Sequence, residues 1–223
     1  MDWSPISLTF KLALTTTLVL VVIGIPMAYG LAFSRFRLKP VIEALVSMPL
    51  VLPPTVLGFY LLIAFSPNNA LGRWLNEWFG FSLVFSFEGL VVASVIYSLP
   101  FMVHPVQSGF RNVPISLKEA SHLLGKSRMT TLCRVLLPNM KPALLTGVVL
   151  SFAHTIGEFG VVLMIGGNLS EETRVASIAI YDRVEALDYP TANTYSLVLF
   201  IVTFVILFTV FLLNNGYALK RRI

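Results

Sequence analysis

Residues 119–138 read EASHLLGKSRMTTLCRVLLP. The stretch lies between two long apolar segments and holds no run long enough to cross a membrane itself. It reads as two short amphipathic helices joined at a glycine. Ser116 and Glu119 stand at S-x-x-E spacing, a capping box that predicts the start of the first helix. Leu117, Ala120, Ser121 and Leu124 recur at helical spacing and give that helix a narrow face. Gly125 falls where a helix end wants a residue tolerant of positive φ. Ser127 is placed to cap a second helix, with Met129, Leu132, Cys133 and Leu136 on one side and Pro138 limiting its length. A loop of this shape on a membrane protein is either a docking knob for a soluble partner or an amphipathic segment lying on the bilayer.

The apolar flanks make the protein an all-α integral membrane protein. The chain has 223 residues, 56% of them hydrophobic and 12% charged. A soluble domain carries about 25% charged residues. Windows 12–34, 44–72, 89–110 and 189–219 contain no Asp, Glu, Lys or Arg, and 142–170 contains only Glu158. Each exceeds the roughly 20 residues a spanning helix needs. Five spans are expected, near 10–33, 44–65, 88–108, 143–165 and 195–214, in a single transmembrane domain covering 1–223. An open sheet is excluded in lipid, and a barrel would show short alternating segments. The first span lacks a basic n-region, and its apolar run is too long for a cleaved signal.

Basic residues set the expected orientation. One side collects Arg35, Arg37, Lys39, Arg111, Lys118, Lys126, Arg128, Arg134, Lys141, Lys220, Arg221 and Arg222. Lys11, Arg73, Arg174 and Arg183 fall on the other. The N-terminus is therefore expected outside, with the C-terminus and the 115–138 loop in the cytoplasm. The net charge of +5 is mostly this signal, and nucleic acid is not an expected partner. One cysteine excludes an internal disulfide, and three scattered histidines give no metal-ligand spacing. Gly125-Lys126-Ser127 ends like a phosphate-binding loop, but Ala120 stands where that motif needs glycine and a helix precedes it. The chain is expected to have no cofactor and no catalytic residue of its own.

Two places inside the spans stand out. Pro49, Pro53 and Pro54 should break the second span near 49–54, in a run that ends at Gly58; the break either lines a pore or serves packing. Gly157-Glu158-Phe159-Gly160 ends the fourth span and carries the one acid within an apolar segment. Glu158 either lines or braces a path, or satisfies local backbone or pairs with Arg174. Candidate path residues are thus Pro53, Pro54, Gly58, Gly157, Glu158 and Gly160. Acid-rich 169–193 offers a short surface helix near 173–186.

The loop resembles the EAA loop of bacterial ABC-transporter permeases. Glu119, Ala120, Ser121, Gly125, Val135, Leu137 and Pro138 meet every spacing of that pattern. The run from Pro49 to Gly58, and G-E-F-G followed by Asn168 and Glu172-Thr173-Arg174, resemble the molybdate permease family. Sulfate permeases are similar, with G-E-Y-G more usual. The resemblance implies an ATP-driven, binding-protein-dependent importer of molybdate or tungstate in the bacterial inner membrane, working by alternating access. It implies a homodimer embedded in lipid, two cytoplasmic ATPase subunits that hold ATP and Mg, and an extracytoplasmic oxyanion-binding protein. The seven loop residues would then couple to the ATPase. A sulfate or thiosulfate permease, an ATP-independent channel or secondary transporter, and an anchor subunit of a membrane enzyme are the alternatives.

Overall fold

The computed structural model describes residues 2–34, 36–80 and 82–220. Of the basic residues counted for orientation, Arg35, Arg221 and Arg222 lie outside the described residues. The described chain runs α1 (Ser4–Phe33), α2 (Lys39–Val51), α3 (Pro54–Phe65), α4 (Ala70–Phe79) and α5 (Phe87–Asn112) before the loop. The loop contains α6 (Ile115–Leu123), α7 (Arg128–Thr131), a π-turn (Leu132–Leu136) and α8 (Leu137–Asn139). After it come α9 (Lys141–Ile156), α10 (Gly160–Gly166), α11 (Ala176–Glu185) and α12 (Tyr189–Lys220).

Among the described residues, α1, α5 and α12 are each long and apolar enough to cross a membrane. Two bent pairs raise the number to as many as five: α2 with α3 at 115°, and the second half of the loop with α9 at 82°. The expected second span is therefore two helices. Leu52 and Pro53 between them are extended, with ψ near 137° and 135°. Pro53 and Pro54 have no N–H to continue the ladder, whereas Pro49 stays inside α2. The expected fourth span is also interrupted. α9 ends at Ile156, and α10 starts only at Gly160.

The long helix α5 is central, packing on α1, α2, α9 and α10. Two apolar cores form along it. One, at the loop end, joins Leu20, Leu31, Val46, Met102, Val106, Phe110, Leu136 and Met140. The other, at the far end, joins Leu12, Leu90, Ala93, Val161, Val162, Ile165 and Ile178. The α11 segment is more than the surface helix expected from 173–186, because Ala176, Ile178 and Ala179 are buried. It is pinned by the Ala176 N–H, which donates to Thr9 Oγ1 of α1 at 2.8 Å. In contrast, α12 packs mainly on α9 and α11 and shows an apolar face with Phe200, Phe204 and Phe208 stacked along it. Such a face needs hydrocarbon or another protein surface around it.

Helices α3 and α10 meet through glycine. A Cβ on Gly58 would sit 2.8 Å from Met164 Cβ and 3.1 Å from the Val161 backbone, whereas one on Gly30 would meet nothing. Gly58→Ala is therefore expected to cost about 1–3 kcal/mol through overpacking. Gly30→Ala should be neutral or gain up to about 1 kcal/mol. Thermal unfolding of both variants in detergent checks the contrast.

Candidate functional site

The loop begins two residues earlier than its capping box predicts. Pro114 is the N-cap of α6, and no side chain caps that end. Its fixed φ of −53° starts the helix at Ile115, so Ser116 falls inside the first turn and the Ser116–Glu119 box does not form. The other end closes as the glycine requires. Gly125 has φ +68°, its N–H donates to His122 O, and the Lys126 N–H donates to Ser121 O. This is the paired closure that leaves few orphan carbonyls. Ser127 Oγ then accepts from the Thr130 N–H at 3.1 Å and starts α7.

A hydroxyl bridge locks the two arms. Ser121 is buried, and its Oγ lies 2.8 Å from Thr131 Oγ1. The second arm departs from the expected stripe: Leu136 is buried and Leu132 half-buried, while Met129 and Cys133 are exposed. The wider π-turn shifts the helical phase there. Glu119, Ala120 and Pro138 are exposed, and Val135 and Leu137 are half-buried. The tip presents Leu123 at 89%, Leu124 at 74% and Met129 at 69% exposure. Three large apolar side chains on a rigid, basic-rimmed knob form a surface that a soluble partner can cover.

The second candidate region lies where the two broken segments meet. A Cβ on Gly160 would fall 2.8 Å from Pro54 Cβ, so the breaks at 52–53 and 157–159 adjoin. An open cleft of about 430 Å³ lies there, lined by Pro54, Thr55, Tyr97, Ala153, His154, Gly157, Glu158, Phe159 and Gly160. The structure thus gathers Pro54, Gly157, Glu158 and Gly160. Pro53 caps α3, and Gly58 serves packing against α10.

Glu158 is 3% exposed, and neither carboxylate oxygen has a hydrogen-bond partner among the described residues. Ser94 lies beside it, without an aligned bond. The expected alternative of a pair with Arg174 does not occur. Arg174 instead donates to Asn168 Oδ1 at 2.6 Å and lies 3.6 Å from Asp182. His154, seen in the sequence only as a lone histidine, is a wall of the cleft. It stacks on Phe101, touches the Tyr97 ring and lies 2.9 Å from Ser98 Oγ.

One polar cluster had no signal in the sequence. Glu43 of α2 accepts from Gln107 Nε2 at 2.7 Å and from Arg111 Nη2 at 2.9 Å. Glu43 stands immediately before a charge-free window, and its partners are more than 60 residues away, so only the fold brings them together.

The apolar knob thus stands between the continuous helix α5 and the broken segment that begins with α9. Residues 20–223 match the model of the binding-protein-dependent transport system inner membrane component family. The chain belongs to this family. Over 211 residues it is 46% identical to the molybdenum transport system permease protein ModB of Azotobacter vinelandii, covering 94% of this chain and 93% of that one. It is 35% identical to the sulfate transport system permease protein CysT of Escherichia coli K12, over 88% of this chain and 70% of that one. The structure resembles that of the MetNI methionine ABC transporter in an inward-facing conformation, with TM-score 0.73 at 19% identity over 95% of this chain and 94% of that one. It also resembles a bacterial ABC transporter that imports alginate, with TM-score 0.74 at 16% identity over 97% and 80%. The fold is that of an ABC importer permease, and the family supplies its partners: an ATPase and a binding protein.

The glycine closure gives a direct test of the loop. Gly125→Val places a β-branched residue at positive φ, a strain of at least about 1–2 kcal/mol. Asparagine tolerates that conformation. Hydrogen exchange should therefore speed up across 121–127 in Gly125→Val and stay near wild type in Gly125→Asn.

Proposed function

We propose that the chain is the permease subunit of an ATP-driven, binding-protein-dependent importer of molybdate, with tungstate as a close substitute. The observation that carries the substrate is the 46% identity to the Azotobacter molybdenum permease across nearly the whole of both chains. The sulfate reading has support from the 35% relative, while the Haemophilus influenzae molybdenum permease stands at 34%. The higher and longer identity favours molybdate.

Two copies of the chain form the path on their shared axis, each giving one loop to one ATPase subunit. The N-terminus faces outside and the C-terminus the cytoplasm, following the basic residues. ATP and Mg are held by the ATPase pair, and the assembled complex is the molybdate-transporting ATPase. The exposed Leu123, Leu124 and Met129 enter the ATPase groove, burying about 1.5–3 kcal/mol of apolar side chain each. The arms behind them, with Glu119, Ala120, Ser121, Gly125, Val135, Leu137 and Pro138, carry the displacement. ATP binding closes the ATPase pair, the loops follow, and the cleft at Pro54, Gly157, Glu158 and Gly160 opens toward the binding protein. Hydrolysis and product release reset it. The Glu158 carboxyl braces the wall of the cleft, since a bare carboxylate in the narrow part of the path repels a dianion.

Labelled molybdate uptake in cells deleted for the gene tests this reading, with excess tungstate or sulfate as competitor. Restored uptake that tungstate blocks and sulfate does not is the expected result. A defect in sulfate uptake alone moves the protein to the sulfate reading. With the purified complex, Gly125→Val should leave ATP hydrolysis running while uptake falls, and normal uptake by a correctly inserted variant would remove the loop from coupling.

A further inference from the structure

The second segment is split between two bodies. Its first half, α2, belongs to the loop end. Val46 is buried with Val106, Phe110, Leu136 and Met140, and Ile42 packs against the same core. Its second half, α3, belongs to the far end. Leu57 and Leu61 pack against Val161, Val162 and Ile165, and Gly58 lies against Met164. The extended residues Leu52 and Pro53 are all that join the halves. The break at 157–159 lies alongside, between α9 and α10, with the cleft at the same seam.

Beside that apolar contact, a polar set ties α2 to the loop end. Glu43 and Ser47, one turn apart, face His104, Gln107 and Arg111 on one side of α5. Glu43 Oε1 takes bonds from Gln107 at 2.7 Å and Arg111 at 2.9 Å, and Ser47 Oγ lies 3.1 Å from His104 Nε2. Gln107 is buried, so the set is more than a surface pair. Arg111 lies in the last turn of α5, three residues before the N-cap of α6. Below it, α5 and α9 pack so closely that a Cβ on Gly109 would fall 2.5 Å from Ala143. The docking loop, the end of α5 and the start of α9 thus form one body. The set centred on Glu43 fastens α2 to that body.

We propose that Glu43, held by Gln107 and Arg111, is a coupling residue: it makes α2 follow the docking loop, so that loop displacement turns α2 about Leu52 and Pro53 and reshapes the cleft at Glu158. This rests on the transport function proposed above. The ion pair is partly exposed, with side chains 52% and 33% accessible, so it adds little to stability. Its value is directional. Here the bonds fix the register of α2 on α5, where apolar packing alone would tolerate sliding.

The test uses the complete complex in proteoliposomes, with its ATPase and binding protein, and reads ATP hydrolysed per molybdate transported. E43R places a cation against Arg111, and R111E places an anion against Glu43. Each single variant should raise that ratio by about five-fold or more, the lower range of measured coupling between sites. Their melting temperatures should stay near wild type. The double variant E43R/R111E rebuilds the pair in reverse, and Gln107 can turn its amide to serve either charge. It should bring the ratio back to within about two-fold of wild type. A wild-type ratio in both single variants, or a double variant as uncoupled as the singles, overturns the proposal. A complex that carries sulfate and not molybdate overturns the substrate reading alone, and the same ratio is then read with sulfate.

Discussion

Hydrocarbon offers no hydrogen bonds, so every backbone group inside a bilayer must find its partner within the protein. The arrangement of this chain follows from that constraint. Two of its apolar segments are broken, and the breaks lie against each other at Pro54 and Gly160. Pro53 and Pro54 bring no N–H groups to the seam, and the Pro53 carbonyl takes bonds from Val56 and Leu57. On the other side, the Glu158 carbonyl accepts from Ser177 Oγ at 2.6 Å, and the Phe159 carbonyl from Leu163. Hydroxyls elsewhere turn inward to the carbonyl four residues back, as in Thr17 to Ala13 and Thr155 to Ser151. The irregular backbone is tolerable because its carbonyls find partners within the protein and part of it lines the cleft, while α3 and α10 pack closely through Gly58.

The sequence made legible what depends on local rules. Helix-closing glycine, the Ser127 cap and the proline break all act within a few residues, and the structure has each of them at the expected position. The expectations that failed were also local, but a stronger local rule won. Pro114 fixes the start of α6 before the Ser116–Glu119 box can act, and a π-turn shifts the stripe from Met129 to Leu136. Contacts across long sequence distances were not legible. Nothing in the residues around Glu43 points to Gln107 and Arg111, which lie more than 60 residues away. Sequence proximity is no guide to that pair, because helix packing brings remote turns side by side, whereas Arg174–Asp182 and Arg183–Asp188 are local.

Glu158 shows how these levels meet. A carboxyl that is 97% enclosed and lacks a partner is costly in any fold, and more so among apolar helices. Its position is nevertheless determined by the fold. It sits in the three-residue gap between α9 and α10, where Gly160 leaves room for close contact with Pro54 and Thr55. Removing the gap would straighten the segment and separate the two cores at the seam. The cost of the acid and the break in the helix are therefore two aspects of one local structure, which a continuous apolar span would not need.

Passing a displacement through a protein requires stiffness at one end and compliance at the other. The loop is stiff: the closure at Gly125, the Ser121–Thr131 bridge and the buried Leu136 leave its arms few alternative positions. At the seam, two extended residues join α2 to α3 and three irregular ones join α9 to α10, which makes it the compliant part on the proposed reading. Between them α5 packs closely on α9 at Gly109 and Ala143. On the proposed reading, a movement imposed at Leu123 and Leu124 passes along these helices to the seam. That reading gives a common sense to the positive-φ glycine that closes α6 and to the proline and glycine at the breaks around the cleft.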